Sequence, residues 1–323
     1  MGTRPAAAPE RRGRDRRAGA RQPRQDELVP VADAASVSNR GPQQYDHFAD
    51  IYGVWTETAS STRANLPFYV DAYLAAQGPV VELGVGDGRI AVRAATRGCR
   101  VIGVDTSTAM LDLCRARATR ARVTDCVDLR QADFRDFTLT EPADLIALPY
   151  HSIGHLTTLD DKRRALHQVF AQLRPGGRFI FDDFLMTPAL ITHMRQVQLR
   201  AMYPSSSSSP TPSPGASTSR SPEQDTLLWV TSLVNESSQT LTVVTWEDLL
   251  HPDGRLDTRR YRRLSLSWLL PTQARQLLDD AGFEVEACFG DFQRTPFAET
   301  TAVEQVWIAR KPSTHSANVR TAT

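Results

Sequence analysis

Residues 80–90 read VVELGVGDGRI, an apolar run carrying Glu82 near its end and then glycines at 84, 86 and 88. That order predicts a buried strand turning at once into a helix. Glycines suit such a turn because the backbone must take φ/ψ values closed to other residues and approach a ligand closely. The N–H groups that open the helix can then meet an anionic group. Dinucleotide-binding folds share this start, but their G-x-G-x-x-G pattern, counted from Gly84, needs its third glycine where this chain has Arg89. Glu82 would also be a poor neighbour for a pyrophosphate.

The rest of the first half repeats the alternation. Strand-like apolar runs fall at Val101–Val104, Asp144–Leu148 and Phe179–Phe181, with a weaker one at Val127–Arg130. Helical spacing fills Ile90–Arg97, Thr108–Thr119 and Lys162–Leu173, the last stopped by Pro175-Gly176-Gly177. Short buried strands separated by helices predict a parallel sheet covered on both faces. Later the period changes to two. Leu227–Val234, Thr240–Leu250 and Arg259–Leu269 predict a three-strand antiparallel meander, followed by a helix at Pro271–Ala281 and strands at Phe283–Phe289 and Val303–Ala309. Core packing is the expected role of Trp229, Trp246 and Trp268 in that meander.

Two stretches fall outside this pattern. Residues 1–40 hold five arginines between 11 and 17 with almost no large apolar residue, and read as a disordered basic tail. Residues 204–224 are rich in Ser and Pro and read as a flexible insertion. The remaining divisions are a core over 41–203, the meander over 225–270 as a substrate cap or dimer face, the closing helix and strand pair over 271–312, and a tail over 313–323. A homo-oligomer is compatible with that plan.

With 38 Lys and Arg against 37 Asp and Glu, the net charge of +1 gives no reason to expect nucleic acid or membrane as the partner. No apolar run approaches the roughly eighteen residues that cross a bilayer. The N-terminus lacks the apolar core of a secretory signal, so a cytoplasmic location is the default. The four cysteines show no metal spacing, and no metal is expected.

Further acids follow the strands. Asp105 ends VIGVD, where a carboxylate can accept from both hydroxyls of a ribose. Asp133 lies in QADFRDF, placed to accept from an adenine amino group, with Phe134 available to pack on the ring. Ligands of open α/β sheets bind beyond the carboxyl ends of the strands, where Glu82, Asp105 and Asp133 all map. Each acid taken singly also fits a turn or helix cap. With ELGVGDG, VIGVD and QADF in this order, the chain resembles the class I S-adenosylmethionine-dependent methyltransferases over roughly 43–200 and 265–310. The resemblance implies S-adenosylmethionine held by Glu82, Gly84 and Gly86, with Asp105 on the ribose and Asp133 on the adenine.

LPYHSIGHL, residues 148–156, follows the fourth strand of that fold and so flanks the transferred methyl. SIGHL resembles the segment found there in bacterial enzymes that N-methylate amino sugars of natural products. By that resemblance His155 lies near the acceptor amine. His151 is a second catalytic candidate and Tyr150 a substrate-binding one. For His155, a helix cap or a hydrogen-bonded core histidine is the structural alternative. YDHFADIYGVW, residues 45–55, has apolar residues at helical spacing and resembles the family's N-terminal lid, which implies a tyrosine facing the site: Tyr45 is the catalytic candidate and Tyr52 a substrate-binding one. In LRPGGRFIFDDF, residues 173–184, Asp182 and Asp183 leave the fifth strand on the ligand side, and Asp182 is the substrate-binding candidate.

The expected fold is a doubly wound, mostly parallel seven-stranded sheet with an added antiparallel meander and an N-terminal helical lid. The expected function is methyl transfer from S-adenosylmethionine to a small molecule, favoured as N-methylation of an amino sugar or similar secondary metabolite. O- or C-methylation is the alternative, and a nicotinamide-dependent oxidoreductase a remote one.

Overall fold

Strand β1 (Val80–Leu83) lies inside the larger sheet: all four of its side chains are buried, and it pairs in parallel with a neighbour on each side. A strand with helices over both faces must be apolar on both, which is why these runs are continuous rather than alternating. In chain order the other strands are β2 (Val101–Asp105), β3 (Val127–Gln131), β4 (Ala143–Leu148), β5 (Leu173–Phe184), β6 (Gln198–Pro204), β7 (Asp225–Asn235), β8 (Thr240–Leu250), β9 (Leu256–Ser267), β10 (Glu284–Phe289) and β11 (Glu304–Arg310). The first sheet has the order β10-β11-β5-β4-β1-β2-β3, and β11 runs antiparallel to both of its neighbours. The second has the order β6-β7-β8-β9 and is antiparallel throughout.

This computed structural model describes residues 45–204 and 225–313, with Met1 and Gly2. The expected basic tail, Ser/Pro-rich insertion and C-terminal tail lie outside the described residues, apart from their edges. The helices are α1 (Tyr52–Thr58), α2 (Ser60–Ala75), α3 (Ala91–Ala95), α4 (Thr108–Arg120), α5 (Leu159–Gln172), α6 (Pro188–Arg195) and α7 (Pro271–Asp280). None of the described helices is long and apolar enough to cross a membrane.

The doubly wound sheet is as expected, and four details differ. The meander has four strands rather than three, because the unforeseen β6 pairs with β7. Pro175-Gly176-Gly177 does not stop α5. These residues bulge within β5, where Ala143 pairs with Leu173 and Leu145 already with Arg178. Trp268 is core, at 4% exposure. Trp229 and Trp246 instead face each other across β7 and β8, half-buried and stacked at 6.2 Å.

The fourth difference is the lid, which is helical only from Tyr52; residues 45–51 form tight turns. Phe48 N–H donates to the Tyr45 carbonyl at 2.9 Å and Ile51 N–H to the Phe48 carbonyl at 3.1 Å. This three-residue spacing buries Phe48 and Ile51, each 2% exposed, among Leu228, Leu241, Val243, Leu264, Leu266 and Trp268. Arg262 takes the His47 carbonyl (Nε to O, 2.6 Å) that a continuous helix would have used internally.

Arg262 is itself buried, at 6% exposure, and joins the lid to the second sheet. Its Nη1 donates to Glu247 Oε2 at 2.6 Å and its Nη2 to Asp50 Oδ2 at 2.7 Å, while Tyr203 donates to the other oxygen of Glu247 at 2.5 Å. Removing one partner of such a pair strands the other charge without water. Arg262→Met is expected to lower the unfolding free energy by about 3–5 kcal/mol. The double change Arg262→Met/Glu247→Gln should recover part of that loss, both read by urea denaturation.

Candidate active site

Beyond Leu83 the backbone enters the left-handed region at Gly84 (φ +65°) and Gly86 (φ +55°). A side chain at Gly84 would press on Ser152 Oγ at 3.1 Å, and one at Gly86 would meet the Tyr52 hydroxyl at 3.4 Å. The turn is therefore roofed by the strand-four loop and the lid, with Gly84 partly exposed and Gly86 buried between them. Asp105 supports it from β2: Gly86 N–H donates to Oδ2 at 2.9 Å and Ser107 N–H to Oδ1 at 2.9 Å. Burial pushes the Asp105 pKa up, opposed by these backbone donors. Each oxygen keeps acceptor capacity for a further donor.

Glu82 sits deeper than expected, at 3% exposure, and takes the Tyr73 hydroxyl at 3.1 Å and the Ala91 N–H. Burial pushes it up to about 8 despite those bonds. Asp133 is turned toward Arg135, with Nη2 to Oδ2 at 2.6 Å and Nε to Oδ1 at 3.0 Å. Burial raises its pKa, but the Arg135 hydrogen bonds outweigh that and lower it. Phe134 is half-buried and packs against the core beside Ile102 and Leu139.

The strand-four loop is held in an unusual shape. Tyr150 (φ +59°) and His151 (φ +55°) are consecutive left-handed residues, a conformation that costs a side-chain-bearing residue about 1–2 kcal/mol. Asp182 on β5 holds them there. Its Oδ1 accepts from Tyr150 N–H at 2.9 Å and from the Tyr69 hydroxyl, and its Oδ2 from His151 N–H at 3.0 Å. Asp182 is fully buried. The expectation that it binds substrate is corrected: three internal donors occupy its carboxylate, because β5 ends beneath the loop. Asp183 is likewise internal, taking Leu269 N–H at 2.8 Å.

His151 is also a correction. It stacks on Phe184 at 3.8 Å and shares a hydrogen bond with Glu304 Oε2 at 2.9 Å. His155 and Tyr45, in contrast, meet: Tyr45 Oη and His155 Nε2 lie 3.0 Å apart across a sequence separation of 110. Tyr52 packs edge-on against Tyr45 at 5.9 Å. Asp46 ties the lid to the other side by accepting from Ser107 Oγ at 2.5 Å. Burial, with Lys162 nearby, pushes the His155 pKa down to about 4, so the ring is neutral at physiological pH. Burial pushes the Tyr45 hydroxyl up, so it keeps its proton.

The structure thus gathers Tyr45, Tyr52, Gly84, Gly86, Asp105, Tyr150 and His155 around one place, with Asp133 and Phe134 in the loop beyond β3. Sequence reasoning missed the supports of that place: Tyr69 and Tyr73 on α2, Arg89, Glu304 and Lys162. The four-residue spacing of Tyr69 and Tyr73 was a usable signal; nothing local marks Glu304. A separate hollow of about 770 Å³, among Leu74, Gly78, Cys99 and Asp128, lies at the opposite ends of the strands and holds none of the expected site residues. Among the described residues no group of three His, Cys, Asp or Glu could hold a metal ion.

A Rossmann-like sheet closed by an antiparallel strand, with a glycine turn after β1 and acids at or just beyond the ends of β1 to β3, has the fold of the methyltransferase class of α/β proteins. Residues 80–177 match the family described as methyltransferase domain. The carboxy-S-adenosyl-L-methionine synthase of Aliivibrio salmonicida is 33% identical over 100 residues, 29% of this chain and 40% of that protein. This chain spans between 40% and 63% of the length of the first curated relatives it matches. Among solved structures, the CcbJ methyltransferase from Streptomyces caelestis superposes with a TM-score of 0.63 at 22% identity, covering 84% of this chain and 98% of that one. An amino pentose methyltransferase of calicheamicin biosynthesis from Micromonospora echinaspora gives 0.57 at 17%, covering 81% and 96%. At these identities the structures establish the fold.

The His151 geometry has a pH signature. Burial disfavours its charge, but Glu304 and then Asp182 outweigh burial and raise its pKa from 6.5 to about 9. A raised cation contributes its stability in full below the unfolded pKa and loses it as pH climbs through the folded one. The melting temperature is therefore expected to fall between pH 6.5 and 9, and His151→Gln should flatten that part of the fall.

Proposed function

We propose that this protein transfers a methyl group from S-adenosylmethionine to a small-molecule amine, of the kind carried by an amino sugar or a similar secondary metabolite. The fit of the cofactor rests on the glycine cradle at 84 and 86, where a side chain would meet Ser152 and Tyr52, and on the spare acceptor capacity of Asp105. In this reading the Gly84–Gly86 backbone bounds the cofactor and Asp105 takes the ribose hydroxyls. Asp133 takes the adenine amino group on the lone pairs that Arg135 leaves, and Phe134 flanks the ring.

The cofactor supplies a methyl already activated on a sulfonium, so the protein's task is to position the acceptor. The observation that carries the amine reading is the placing of His155, a buried ring held 3.0 Å from the Tyr45 hydroxyl with no carboxylate among its hydrogen-bond partners in the described residues. A base works best with a pKa near the operating pH, and a histidine held near 4 is a poor one for a hydroxyl. It is well suited to accept a hydrogen bond from a neutral amine N–H and so aim the nitrogen lone pair. Tyr45 fixes the ring through its 3.0 Å contact. Enclosure beneath the lid disfavours the ammonium form of the acceptor and keeps that lone pair free. The amino pentose enzyme named above supports this choice of acceptor; the synthase relative shows that domains of this sequence type also serve other chemistry. A hydroxyl acceptor is the second reading, in which the Tyr45–His155 pair would relay a proton.

The test supplies S-adenosylmethionine bearing an isotope-labelled methyl together with matched amino sugars and their hydroxyl counterparts. Label on nitrogen is the expected outcome, and label on oxygen alone contradicts the amine reading. Tyr45→Phe is expected to lower kcat/KM about 10- to 100-fold, with S-adenosylhomocysteine affinity little changed. The pH profile should follow the acceptor's own amine and show no inflexion from His155 between pH 5 and 9.

A further inference from the structure

One face of α2 packs against the residues that support the site, and each step along it has a partner except one. Tyr73 donates to Glu82 at 3.1 Å and Tyr69 to Asp182. At the other end the Thr62 carbonyl accepts from Arg89 Nη1 at 2.7 Å. Asn65 lies three residues after Thr62 and four before Tyr69, which places it on the same face between them. Its side chain is fully buried, and neither Oδ1 nor Nδ2 has a hydrogen-bond partner among the described residues. Native folds rarely leave a buried carboxamide unpaired at both ends, so such a group calls for an explanation, and a missing ligand is one.

Arg89 supplies the second observation. It occupies the position where a dinucleotide fold would need glycine, and its guanidinium approaches the Tyr150 ring at 5.9 Å. Among the described residues no carboxylate lies within ion-pair distance of it, although most of the described arginines have one, Arg97, Arg117, Arg135 and Arg178 among them. A ligand that satisfies both groups offers an anion to Arg89 and both an acceptor and a donor to Asn65. An α-amino-acid zwitterion has that combination.

We propose that Asn65 and Arg89 hold the amino-acid end of S-adenosylmethionine. Arg89 and Asn65 Nδ2 donate to the carboxylate, and Asn65 Oδ1 accepts from the ammonium. This rests on the cofactor reading above and assigns the residues that fix the donor end of the site.

The test compares two ligands by calorimetry: S-adenosylhomocysteine, and methylthioadenosine, which keeps the nucleoside thioether but lacks the amino-acid group. Asn65→Leu, similar in volume but apolar, is expected to weaken S-adenosylhomocysteine about 10- to 100-fold and leave methylthioadenosine unchanged. Arg89→Met should do the same, and Asn65→Ser gives the same readout if the leucine variant does not fold. Equal weakening of both ligands, or no weakening of S-adenosylhomocysteine, overturns the proposal. A wild-type protein that binds neither ligand removes the cofactor reading itself, and this assignment with it.

Discussion

The carboxylate of Asp182 is the contact on which the site depends. A fully buried acid is costly unless its oxygens are taken up, and here three donors converge on it from two separate parts of the chain. Tyr69 brings α2 against the sheet. The amides of Tyr150 and His151 bring the strand-four loop down onto the end of β5. Two left-handed, non-glycine residues in succession are affordable only where such bonds over-determine them. The turn that results sends His151 inward to Glu304 and leaves His155 facing the lid, so one interaction sorts two histidines of the same loop into different tasks.

The lid completes what the clamp begins. Tyr45 reaches His155 only because residues 45–51 are pinned by Phe48 and Ile51 in the second sheet and by Arg262 on the His47 carbonyl. The antiparallel sheet therefore supports the site as well as standing beside it. Glu247, Tyr203 and Asp50 brace Arg262, so the lid position depends on a polar network whose members lie up to 215 residues apart. Electrostatics then follow geometry. Burial keeps His155 neutral, while Glu304 keeps His151 cationic within the same short loop.

The sheet was legible because its strands are short apolar runs bounded by glycines and acids, a signal contained within each segment. The glycine turn was legible for the same reason, whereas the Tyr45–His155 contact, across 110 residues, was not marked by either motif. Asp182 was misread because the end of a strand looks the same from sequence whether its acid faces ligand or backbone. Its task depends on the handedness of a loop 31 residues earlier. The lid helix was displaced because periodicity does not reveal that a distant arginine will claim one of its carbonyls. Asn65 carried no signal, since a single amide in an apolar helix acquires meaning only from what fails to meet it.

Hydrogen exchange at the Tyr150 and His151 amides, compared between the native protein and Asp182→Asn, tests the clamp most directly. The substitution puts an N–H₂ group where two N–H donors and a hydroxyl need acceptors. If the carboxylate holds the loop, those amides exchange on the order of a hundredfold faster while the β1 and β4 amides keep their protection. Unchanged protection at Tyr150 and His151 would mean that the loop holds its own shape, and would contradict the account.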